Sequence, residues 1–67
     1  MKKKYYVNRR TQANGDHEVH EEGCKYLPVD RIPLGEFTNC DGAVKESKKH
    51  YSQSNGCYYC CKSCHTQ

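Results

Sequence analysis

Cys57-Tyr58-Tyr59-Cys60-Cys61-Lys62-Ser63-Cys64-His65 sets two C-x-x-C spacings in tandem and closes on a histidine. A two-residue spacer lets both sulfurs converge on one tetrahedral ion at about 2.3 Å, while nearby backbone amides donate to the thiolates and moderate their charge. A closed structural site takes four ligands, and His20-x-x-x-Cys24 is the distant contributor that the spacing offers. The tandem cluster holds more thiols than one ion needs. Three ligand sets therefore compete: Cys24, Cys57, Cys60 and Cys64; the same set with His20 replacing one member; or a clamp made by Cys61 and Cys64. The first is favoured, with His20 next, because a site confined to the C-terminal cysteines would not tie the two ends of the chain together.

The remainder of the chain shows why such a tie is needed. With 67 residues, 34% apolar content and no tryptophan, the sequence makes one domain spanning residues 1–67 with little material for a core. Ordering each residue costs roughly 1.5 kcal/mol, so domains of this size rely on disulfides, a metal or a partner chain. Six cysteines point to the first two. Met1-Lys2-Lys3-Lys4-Tyr5-Tyr6-Val7-Asn8-Arg9-Arg10 has a basic start with no apolar run behind it, unlike a secretory signal, and no stretch reaches the roughly 20 apolar residues of a membrane span. The expectation is a cytoplasmic monomer, where reduced thiols bind zinc in preference to forming three disulfides.

Lys4 to Arg10 carries residues suited to a half-buried strand, and Asn14-Gly15 supplies a turn into a returning strand over Asp16 to His20. Pro28 and Pro33 mark a loop anchored by Leu27, and Leu34 to Thr38 reads as a short third strand with Leu34 and Phe37 near the core. A helix is expected from about Asn39 to Ser54, with Thr38 and Asp41 as a capping box, Val44, Ser47 and Tyr51 on one face, and Asn55-Gly56 as a left-handed stop. The expected fold is a small α+β zinc-stabilised domain, a β-hairpin plus a third strand packed on one C-terminal helix that runs directly into Cys57.

The other candidate ligands have plainer readings. Cys40 reads as a small buried apolar residue, His17 as an exposed strand residue and His50 as decoration on the polar helix face. His65 stands evenly between completing the site and lying in a frayed terminus. If Val19 faces the core, alternation points His20 the other way. Redox exchange by the C-x-x-C pairs is disfavoured because a helix ending at Cys57 would present its negative pole there.

The pattern His20-x-x-x-Cys24, Leu34-Gly35-Glu36-Phe37-Thr38, Ala43 in a helix, Gly56 and the terminal cysteines resembles the N-terminal zinc domain of Ada-type DNA repair proteins over residues 19–64. The resemblance implies a zinc fold whose first ligand is a methyl-accepting cysteine. That position falls on His20, an imidazole that can ligate zinc but is not the thiolate such a transfer uses. The second falls on Cys24 and the third on Cys60, while the fourth falls on Ser63, beside Cys64. The ending Asn55-Gly56-Cys57-Tyr58-Tyr59-Cys60 also resembles that of small bacterial cysteine-rich proteins, which implies a stand-alone module.

Eleven basic against eight acidic residues give a net charge of +3, too mild to identify a nucleic-acid protein by itself. The leading expectation is a non-enzymatic structural-zinc module contacting nucleic acid or a protein. Lys2, Lys3, Lys4, Arg9 and Arg10 would meet phosphates, and Tyr5, Tyr6, Tyr58 and Tyr59 would stack on bases. The alternatives are a zinc-thiolate alkyl acceptor or thiol redox protein, and a disulfide-stapled domain.

Overall fold

Tyr5 and Val7 alternate with Lys4 and Tyr6, and in the computed structural model, which describes residues 1–65, this alternation becomes strand β1, Lys3–Asn8, with Tyr5 and Val7 turned into the core. β2, His17–Glu21, pairs with it antiparallel in the register Val7↔Val19, so the expected hairpin forms. The turn is wider than a two-residue hairpin: the Gly15 amide donates to Gln12 O, and the Gly15 φ of 90° is the left-handed value that favours glycine.

β3, Arg31–Phe37, joins the free edge of β1 and begins earlier than the sequence pattern indicated. Pro33 lies within it, tolerated because this is an edge strand. The register slips between Tyr5 and Tyr6, where Leu34 becomes the extra residue of a bulge and turns its side chain into the core, and Gly35 takes a φ of 110°.

The helix is shorter than expected. α1 spans Cys40–Ser47, and its cap is Asn39, whose extended backbone lets its side-chain oxygen accept from the Asp41 amide at 2.9 Å, in place of a Thr38 capping box. Its buried face is Cys40, Ala43 and Ser47, with Val44 and Tyr51 partly covered. Beyond Ser47 the residues Lys48, Lys49 and His50 are all exposed, so a further turn of helix would bury nothing. The Ser47 and Ser54 hydroxyls, 2.7 Å apart, instead join the helix end to a fourth strand.

That strand, β4, Ser54–Gly56, lies parallel to β2 and completes a four-stranded mixed sheet in the order β3-β1-β2-β4. Asn55 and Gly56 therefore extend a sheet and do not stop a helix. The chain crosses from one sheet edge to the other by way of α1, and a single 3₁₀ turn at Lys62–Cys64 follows. The core is Tyr5, Val7, Val19, Leu34, Cys40, Ala43, Cys57 and Cys61. Each large member stabilises the fold by roughly 1.5–3 kcal/mol, yet three of the eight are cysteines, a thin core that leaves covalent or metal ties to contribute. Among the described residues, no helix is long and apolar enough to cross a membrane.

Candidate metal centre

Val19 faces the core, so alternation sends His20 to the opposite face of β2. There the ring is only 1% exposed, covered by the cysteine segments that converge on the end of the strand. Two backbone bonds, Cys24 N–H to Glu21 O and Leu27 N–H to Cys24 O, each 3.1 Å, fold the chain sharply after β2. That turn brings Cys24 Sγ to 3.5 Å from His20 Nδ1. From the other side, the Cys57 amide donates to Val19 O and so carries β4 pairing one residue past Gly56. Cys57 Sγ then lies 3.9 Å from Cys24 Sγ. A turn closed by Cys61 N–H to Cys57 O returns Cys60, whose Sγ accepts from the Glu21 amide at 3.3 Å.

The ligand atoms of His20, Cys24, Cys57 and Cys60 all lie within 4.8 Å of one another, close enough to hold a metal ion. Metal bonds of about 2.3 Å to sulfur and 2.0–2.1 Å to nitrogen imply tetrahedral edges of about 3.8 Å between sulfurs and about 3.6 Å from sulfur to nitrogen. The 3.9 Å and 3.5 Å separations at Cys24 match those edges with little movement.

The surroundings suit ligation. Burial lowers the His20 pKa, against a smaller raising effect of Glu18, so the imidazole is neutral and one ring nitrogen can carry a lone pair. With Nδ1 toward the thiols, Nε2 lies 3.4 Å from Glu18 Oε1, an outer carboxylate beside the ring. Backbone amides face the sulfurs as well: Tyr26 N–H donates to Cys24 at 3.4 Å, and the Tyr59 and Cys60 amides point at Cys57. Burial pushes the Cys57 and Cys60 thiols up, so without a cation both remain protonated. A divalent ion would displace those protons, and the amides would then disperse the thiolate charge.

Cys64, expected among the ligands, is placed elsewhere. It is joined to Cys40 with S–S 2.01 Å and Cα–Cα 6.3 Å, fastening the 3₁₀ turn to the start of α1. Cys40 is buried as expected but is half of a bond and not a free packing residue. Parity explains the split: Gly56 faces the helix side with Val19, and Cys61 and Cys64 fold over it, whereas Cys57 turns to the His20 side. With the bond opened, Cys40, Asp41 and Cys64 would form a second grouping of potential donors, one short of a closed set. Cys61 is a free thiol at 2% exposure that packs in the core, its pKa raised by burial. His65 lies outside the four-residue group; its Nδ1 is 3.0 Å from Gly56 O.

Cys57 follows a strand, so the helix-pole argument against redox exchange does not apply. What disfavours a reactive thiolate is burial, which raises the thiols of Cys57, Cys60 and Cys61. Of the expected basic contacts, Lys3 pairs with Glu21 at 3.4 Å, and Arg9 and Arg10 both face Asp30. Tyr5 is buried and Tyr6 lies beneath the Arg31 guanidinium, while Tyr58 and Tyr59 are exposed. Glu18 was missed, although its spacing two residues before His20 puts both on one strand face.

No family model, curated protein or solved structure matches the chain.

Proposed function

We propose that this protein is a structural-zinc binding module in which His20, Cys24, Cys57 and Cys60 form a closed four-ligand centre. The observation that carries the reading is the convergence of these four ligand atoms, from the ends of β2 and β4 and the turn that follows each, within 4.8 Å. Three thiols and an imidazole favour zinc over hard cations such as magnesium or calcium, which take oxygen ligands. All four positions are supplied by the chain, which leaves no open position for substrate or water and supports a structural role over a catalytic one. The four free thiols, Cys24, Cys57, Cys60 and Cys61, fit a cytoplasmic setting in which the Cys40–Cys64 pair is the one oxidised exception.

The ion would link the end of β2 to the segment after β4, joining the two halves of a small sheet. Native mass spectrometry of protein purified without chelator tests the reading. One zinc per chain, lost from Cys57→Ser and His20→Ala but kept by Cys64→Ser, is the expected result. A metal-free chain with Cys24, Cys57 and Cys60 reduced would refute it.

A further inference from the structure

The two segments that carry the metal-site cysteines also carry the largest exposed aromatic group of the molecule. Tyr26 follows Cys24 by two residues, and Tyr58 and Tyr59 fill the C-x-x-C spacer between Cys57 and Cys60. The Tyr26 and Tyr59 rings stack with centroids 4.6 Å apart, and Tyr58 meets Tyr59 edge-on at 5.2 Å. Tyr59 touches both of the other rings and Tyr58 also meets His65 edge-on at 5.4 Å, yet Tyr59 remains 66% exposed, Tyr58 49% and Tyr26 48%. Two lysine ammonium groups lie over the rings, Lys25 Nζ 5.3 Å from the Tyr26 centroid and Lys62 Nζ 5.7 Å from that of Tyr58. The acids nearest in sequence are already engaged, Glu21 with Lys3, Glu22 with the Lys4 amide, and Asp30 with Arg9 and Arg10.

We infer that Tyr26, Tyr58 and Tyr59, with Lys25 and Lys62, form a platform for single-stranded nucleic acid. This rests on the zinc reading, because the centre would hold the Tyr26 turn against the Tyr59 turn. Exposed tyrosine faces stack on unpaired bases irrespective of sequence. A bound single strand would take over the positions of the two ammonium groups above the rings, as its phosphates draw those groups outward and are neutralised by them. A duplex hides its base faces and offers the rings little. The surface is too aromatic for a purely electrostatic duplex contact, and its two lysines complement a polyanion better than they would an apolar or basic protein face.

The test is fluorescence anisotropy on zinc-loaded protein, with a labelled mixed-sequence single strand of about a dozen nucleotides and the matching duplex. The single strand should bind more tightly. Tyr59→Ala should weaken it by roughly 5- to 150-fold, and Tyr59→Phe should restore most of the loss. The pair Lys25→Ala and Lys62→Ala should flatten the slope of log affinity against log salt by about 1.4. These residues are exposed, so circular dichroism and zinc content should match the parent chain. Equal affinity for duplex, or no binding by protein that holds one zinc, would overturn the platform while leaving the metal centre intact. A chain without zinc would instead count against the centre, and the stoichiometry measured on the same sample separates the two failures.

Discussion

Replacing Gly56 by alanine should destabilise the protein sharply while leaving its four candidate ligands untouched. A Cβ at this position would lie 2.7 Å from Cys64 Cβ, 2.8 Å from Cys61 O and 3.0 Å from Cys64 C. Two of these atoms are backbone, and Cys64 is bonded to Cys40, so the obstruction cannot swing aside as a flexible side chain would. Reaching an ordinary contact of 3.4 Å requires the turn or β4 to move by about 0.7 Å. Overpacking of this kind costs about 1–3 kcal/mol, and in a domain of this length about 2 kcal/mol lowers Tm by roughly 8–16 °C. Gly23→Ala is the control, since nothing lies within 4 Å of its Cβ and its φ is not positive. Thermal and urea unfolding of the zinc-loaded, oxidised proteins would compare them. A Gly56→Ala variant within about 0.5 kcal/mol of Gly23→Ala would refute the packing of the terminal turns over β4.

Glu18→Gln should weaken zinc binding by about 10- to 100-fold in competition with a chromophoric chelator, because His20 loses its carboxylate partner. Opening the Cys40–Cys64 bond, which closes a separation of 24 residues, should cost about 3.5 kcal/mol in denaturant unfolding without releasing zinc. The metal-free chain should be most stable between about pH 6.5 and pH 9. His20 has a lowered pKa when folded, so its contribution is present above the unfolded value of 6.5 and lost as pH falls through the folded one. The thiols of Cys57 and Cys61 have raised pKa values, so theirs is present below 9.0 and lost as pH rises. Urea titrations across pH would show this dome, and a flat profile would contradict it.

The hairpin, the third strand and the presence of one helix were legible because each rests on local chemistry: alternation at Tyr5 and Val7, a turn at Asn14-Gly15, and apolar positions at Ala43 and Val44. β4 was not legible, because Ser54-Asn55-Gly56 has neither alternation nor strand-forming side chains. Its pairing with β2 is set by the long-range contact itself, and by the turns that only a glycine at position 56 admits. The overlong helix followed from the same gap, since without β4 nothing required the chain to leave α1 at Ser47. Within the site, C-x-x-C spacing marked Cys57 and Cys60, and the x-x-x separation marked His20 and Cys24. Choosing between Cys64 and His20 needed the parity of β2 and β4. The side of the sheet on which each cysteine falls is a property of pairing, which spacing alone does not contain.

X-ray absorption at the zinc edge of the purified protein tests the centre most directly. A first shell of three sulfurs at about 2.3 Å and one nitrogen at 2.0–2.1 Å is the predicted result. A shell of four sulfurs would put a further cysteine in place of His20, and a shell dominated by oxygen would contradict the centre altogether.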